Sequence, residues 1–176
     1  MAIAGSLGPA LQRLGTELSR RDLTIGVAES MTAGLLAASL ADLPESSKRF
    51  LGGMISYTAD EKMSLLGIPE AVIKTDGVVS AATARLMAEA ARHRLGADVA
   101  LSVTGVAGPD TQEGKPVGLT FIGVSLDSRT EVREYRWPGG RATNRMASVE
   151  AAIDLAADLL AASSGSGKTQ PGDLRT

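Results

Sequence analysis

Cysteine is absent from the 176 residues, which excludes disulfides, thiolate zinc sites and a cysteine nucleophile. Histidine occurs once, at His93, on the polar face of a long helical pattern, so the usual base for a serine nucleophile is nearly missing too. Two Phe, two Tyr and one Trp supply little stacking surface, and a net charge of −2 with both signs interspersed leaves no basic face for nucleic acid or an anionic membrane. No apolar run approaches ~18 residues, and no basic stretch precedes an apolar one at the N-terminus. These absences predict a soluble, cytoplasmic chain with neither nucleic-acid nor membrane partners. A hydrolase built from this inventory must rely on Ser, Tyr and Lys.

What is present is small and aliphatic. The 44% hydrophobic content is mostly Ala, Val, Leu and Ile, and the length suits one core. Leu7, Leu11, Leu14 and Leu18 recur at helical spacing behind Ser6 and Pro9, predicting a helix that ends near Arg20 and Arg21. A buried strand over Thr24–Glu29 follows, then a helix from Met31 to Ala41 capped by Ser30 or Thr32. Pro44–Phe50 reads as a loop or a short helical turn, Gly53–Thr58 as a strand, and a capped helix then runs to Gly67. The segment through Lys74–Gly77 reads as irregular, before a helix capped by Ser80 and closed by Gly96. Asp98–Val103 is the next strand, Val117–Leu126 and Glu131–Trp137 form a hairpin around residues 127–130, and the last helix covers Asn144–Ala161. Strands alternating with helices and ending in a hairpin predict a single-domain, three-layer α/β/α fold with a mixed sheet over residues 1–162. Ser163–Thr176, rich in Ser and Gly, is expected to be a disordered tail. Alanine-rich helix faces pack closely and would allow a homodimer.

The stretch Gly52–Lys62 is the most informative. Thr58 and Glu61 form a capping box, which starts a helix at Ala59 and places Lys62 in its first turn or just beyond. The positive end of the helix dipole, together with partial burial beside Met63 and Leu66, disfavours a charged amine there and would make Lys62 a base. Glu29, Ser30 and Thr32 sit at the carboxyl end of a strand, where open α/β sheets bind ligands. Ser46 and Ser47 offer further hydroxyls in the next loop. Thr104, Gly105 and Gly108 belong to a glycine-rich turn after a strand, suited to cradling an anion. Arg141, before the last helix, would grip a phosphate with that helix's N-terminus, and Arg145 lies one turn on. Glu29, Asp60, Glu61 and Asp110 show no metal-ligand spacing, so no metal is expected. Residues 162–169 resemble a P-loop but trail a helix instead of joining a strand to one.

Ala28–Gly34 (AESMTAG), Glu45–Gly67, Gly77–Ser80, Thr104–Asp110 and Lys115–Leu119 together resemble the CinA C-terminal domain family, in order, from about Leu7 to Leu160. Standalone members are nicotinamide-nucleotide amidohydrolases; longer members carry an additional N-terminal domain that this chain is too short to include. The resemblance implies hydrolysis of nicotinamide mononucleotide to nicotinate mononucleotide and ammonia, a step of pyridine nucleotide salvage, without cofactor. It carries functional positions onto Ser30, Ser47, Tyr57 and Lys62 for chemistry and onto Thr104, Gly105 and Arg141 for binding. The family's usual Cys-Thr-Gly-Gly is Met31-Thr32-Ala33-Gly34 here. On this reading Ser30 or Ser47 attacks the carboxamide, with Ser30 marginally preferred, while Lys62 takes the proton and Tyr57 orients or relays it. The alternatives are direct activation of water by Tyr57 or Glu29, or a non-catalytic nucleotide-binding or competence-associated interaction module.

Overall fold

The computed structural model describes residues 4–127 and 129–163; Ser128 in the expected hairpin turn and the expected tail beyond Ser163 lie outside them. Five strands form one sheet: β1 (Ile25–Glu29), β2 (Phe50–Ile55), β3 (Val99–Gly105), β4 (Leu119–Ser125) and β5 (Thr130–Arg136), in the spatial order β2-β1-β3-β4-β5. β1 runs parallel to both β2 and β3, while β3, β4 and β5 are antiparallel neighbours, so the sheet is mixed. Every residue of β1 and β3 is buried, as expected of strands covered on both faces.

Seven helices complete the layers among the described residues: α1 (Ala4–Arg21), α2 (Leu35–Leu40), α3 (Ser46–Arg49), α4 (Ala59–Ser64), α5 (Glu70–Asp76), α6 (Ala81–Leu95) and α7 (Arg141–Ala162). One face of the sheet meets α1, α2 and α7, where Leu7, Leu11, Leu14 and Leu18 pack with Leu36, Leu40, Val149, Ile153 and Leu160. The other face meets α6 and the segment after α4, through Met87, Ala91, Leu66 and Ile68 against Ala28 and Ala100. The expected three-layer arrangement therefore holds. Among the described residues no helix is long and apolar enough to cross a membrane.

Several boundaries differ from the sequence reading. α1 begins at Ala4, which puts Pro9 inside it at the expense of one backbone hydrogen bond. β2 begins at Phe50, three residues before Gly53, because Phe50 and Gly52 already pair with Ile25 and Gly26, and it ends at Ile55. Residues 70–76 are helical: Pro69 precedes the first turn, and Glu70 and Lys74 form an i,i+4 ion pair at 2.7 Å. α2 starts at Leu35, four residues after Met31, since Ala33 (φ 48°) and Gly34 (φ 92°) are both left-handed.

Alanine in the left-handed region costs about 1–2 kcal/mol, partly offset by the entropy a glycine loses on folding. Ala33→Gly is therefore expected to raise the unfolding free energy by up to about 1 kcal/mol, read as a higher urea midpoint at unchanged slope.

Candidate active site

Two backbone hydrogen bonds extend the parallel ladder one residue past its strands and so fix the site. The Ser30 N–H donates to the Val103 carbonyl at 2.9 Å, and the Ser56 N–H donates to the Glu29 carbonyl at 2.8 Å. Ser30 and Ser56 thus lie side by side beyond the carboxyl ends of β1 and β2. The chain then turns into α4, where the Thr58 hydroxyl accepts from the Glu61 N–H at 3.1 Å, as the capping box predicts. One turn on, Lys62 reaches back toward the sheet. Its Nζ donates to the Ser56 carbonyl at 2.8 Å and lies 2.9 Å from Ser30 Oγ.

Lys62 is 0% exposed and Ser30 8% exposed. Burial disfavours the ammonium and pulls the Lys62 pKa from 10.5 down to about 8, while the negative charge of Glu113 acts in the opposite direction. Desolvation is the leading cause of this lowering, whereas the sequence reading had put the helix dipole first. A serine hydroxyl beside an amine of this pKa is an activated nucleophile: once neutral, the amine accepts the hydroxyl proton.

A cavity of about 340 Å³ opens in front of Ser30, within the range that holds small ligands. Its walls are Ser30, Met31, Tyr57, residues 105–112 and Arg141. Gly105 is required by close approach: a Cβ there would lie 2.5 Å from Met31 Sδ and 2.8 Å from both the Leu119 carbonyl and Thr120 Oγ1. Arg141, the first residue of α7, donates to the Gly108 carbonyl at 2.9 Å and to the Tyr57 hydroxyl at 2.8 Å. Asn144 is fully buried one turn later, and its amide nitrogen donates to the Ala107 carbonyl at 3.1 Å. The glycine-rich loop is thereby tied to the start of α7.

The family model for the CinA C-terminal domain matches residues 9–160. The chain belongs to the CinA C-terminal domain family. A protein of Desulforamulus reducens named as competence-damage inducible is 45% identical over 149 residues, 85% of this chain and 36% of that protein. A CinA-like protein of Frankia casuarinae is 45% identical over 156 residues, 89% of this chain and 36% of its own length. The chain thus spans about a third of the length of the curated relatives it matches. Among solved structures, the competence/damage inducible protein CihA from Agrobacterium tumefaciens superposes with a TM-score of 0.83 at 34% identity, covering 88% of this chain and 96% of that one. A CinA superfamily protein from Klebsiella pneumoniae 700603 gives 0.85 at 24% identity over 88% and 97%, a likeness of fold.

Within this CinA domain the structure sorts the expected site residues. Ser30, Lys62, Tyr57, Gly105, Gly108 and Arg141 converge on the cavity or its walls. Ser47 does not: it is exposed on α3, ahead of β2, roughly a strand length or ~15 Å from the carboxyl edge of the sheet. Glu29 is fully buried and faces away from the cavity. Its carboxylate accepts the N–H groups of Gly34, Leu36 and Ala37 at 2.8–3.1 Å, so it, and not Ser30 or Thr32, caps α2. Thr104 turns its hydroxyl onto the Val78 carbonyl at 2.7 Å, and Thr32 is buried with its carbonyl accepting from Arg145 at 2.6 Å; neither lines the cavity. The Tyr57 hydroxyl accepts from Arg141 instead of meeting Lys62. Sequence reasoning missed the Ser56 carbonyl, which carries no side-chain signature, and Met31 as a cavity wall. It also missed Asn144, whose position on a buried helix face was the only available signal.

Folding expels the Lys62 proton across the interval from about 8 to 10.5, so this group adds stability as pH rises through that window. Below it the ammonium is charged in both folded and unfolded states, and its burial costs about 3 kcal/mol. Lys62→Met is accordingly expected to unfold at pH 7 at a denaturant concentration equal to or above that of the parent chain. A fall of several kcal/mol would contradict this.

Proposed function

We propose that the chain is a serine-type amidohydrolase that converts nicotinamide mononucleotide to nicotinate mononucleotide and ammonia. The observation that carries this reading is the 2.9 Å approach of a fully buried lysine amine to Ser30 Oγ at the wall of a cavity. In the first step Ser30 Oγ bonds to the carboxamide carbon and its proton passes to neutral Lys62 Nζ. The Lys62 ammonium then protonates the departing nitrogen, which leaves as ammonia, and an ester on Ser30 remains. Water attacks that ester, giving its proton to Lys62 and then back to Ser30 Oγ, and the carboxylate product departs. The Ser56 carbonyl keeps the amine aimed throughout.

The oxyanion of each tetrahedral intermediate needs fixed donors. The backbone N–H groups of Met31 and Ala107 donate to no protein group among the described residues, and both residues line the cavity. Arg141, held by Gly108 and Tyr57 at the cavity wall, would pair with the 5′-phosphate. Binding energy from that remote group would hold the carboxamide against Ser30.

Purified protein given nicotinamide mononucleotide should release ammonia, with kcat/KM climbing through a midpoint near 8 as Lys62 loses its proton. Ser30→Ala and Lys62→Met should each lower kcat/KM by roughly a thousandfold or more, while Ser47→Ala stays within about threefold. Nucleotide binding without ammonia release would favour the non-catalytic module instead.

A further inference from the structure

Glu113 stands apart from the residues assigned so far. It lies in the connection between β3 and β4, just past the cavity-lining residues, yet its side chain leaves that loop and crosses to the turn between α5 and α6. There its carboxylate accepts from the Val78 N–H at 3.1 Å. Lys115 follows it: its Nζ donates to the Asp76 carbonyl at 2.8 Å and to the Glu113 carboxylate at 3.3 Å. Gly77 has a φ of 85°, and a Cβ there would lie 2.3 Å from Glu113 Oε2 and 2.6 Å from Lys115 Nζ, so a side chain at this position would push the pair aside. The turn so held packs onto the catalytic helix, because Val78 and Val79 cluster with Val106, Leu119 and Ala59, the first residue of α4.

We propose that Glu113 is a positioning residue for the Ser30–Lys62 pair: it clasps the cavity loop to the turn beneath α4 and supplies a fixed negative charge to the Lys62 amine. This rests on the serine–lysine reading of the site.

The charges around Lys62 make Glu113 the one that counts. Glu29 is committed to three N–H groups at the start of α2, Asp60 and Glu61 are both exposed on Lys62's own helix, and Asp110, Tyr57 and Arg141 line the cavity. Arg145 is bound to the Thr32 carbonyl, and Lys115 is bound to Glu113 itself. Burial raises the Glu113 pKa, but the Val78 N–H and Lys115 outweigh it and leave it below 4.5, so the carboxylate is charged at neutral pH. Its attraction is the Coulombic contribution that opposes the effect of burial on Lys62. Removing that charge lets burial lower the amine further, so a larger fraction is neutral at pH 7.

The test measures the rate of Ser30 modification by an alkyl fluorophosphonate against pH, with mass spectrometry to place the adduct. This requires no knowledge of the natural substrate. Glu113→Gln keeps an acceptor for the Val78 N–H and loses the charge. Its midpoint is expected about half a pH unit or more below that of the parent, giving a rate at pH 7 about two- to threefold higher relative to the plateau. Glu113→Asp retains the charge and should restore the parent midpoint, and it serves in place of Glu113→Gln, by comparison with Glu113→Ala, where the glutamine variant does not fold. Hydrogen exchange at the Val78 amide should quicken at least tenfold in Glu113→Ala and less in Glu113→Gln. A parent chain that reacts at Ser30 with a midpoint near 8, joined by variants with the same midpoint, would overturn the role of Glu113. A parent chain that does not react at Ser30 at all would overturn the serine–lysine reading itself.

Discussion

The chemistry proposed for this domain depends on one desolvated amine. An ammonium taken wholly out of water is tolerated only where its donors are used, and Lys62 uses them on Ser30 Oγ and the Ser56 carbonyl. The same burial that makes the residue costly makes it a base near neutral pH, so stability and reactivity are set by one environment. With no cysteine and a single histidine in the chain, no more familiar base is at hand.

The parallel half of the sheet creates that environment. β1 and β2 end side by side, and the chain leaves each of them through a serine whose N–H still belongs to the ladder. α4 returns over this edge, which closes the amine beneath it. The antiparallel half contributes the other wall through the loop after β3, pinned by Asn144 and Arg141 of α7 on one side and by Thr104, Glu113 and Lys115 on the other. Such an arrangement would hold Ser30, the proposed nucleophile, on regular structure and leave the surrounding loop to shape specificity.

Signals that act within four residues were legible in the sequence. The Thr58–Glu61 box fixed the start of α4 and hence the place of Lys62, Ser80 capped α6 as read, and the β4–β5 hairpin and the four-leucine face of α1 followed from periodicity. Signals that act across the fold were not. Glu29 read as a ligand-facing carboxylate because nothing local says that three N–H groups of a later helix need it. Thr104 read as a binding hydroxyl because its partner, the Val78 carbonyl, lies 26 residues away. Ser30 and Ser47 could not be separated by spacing; only the parallel pairing of β1 and β2 places them at opposite ends of the sheet. The residues Met31 and Ala33 show the limit from the other side. They depart from the family's usual pattern, yet Met31 packs beside Gly105 and Thr120, and Ala33 adopts the left-handed turn that a glycine would prefer.

The behaviour of this site turns on the protonation of a single nitrogen, which a titration reads out. Nuclear magnetic resonance of the chain labelled at lysine side chains, with Lys62 assigned by its absence in Lys62→Met, reads that proton without reference to any substrate. Lys62 is expected to titrate with a midpoint near 8. A midpoint at or above the ordinary lysine value of 10.5 would contradict it.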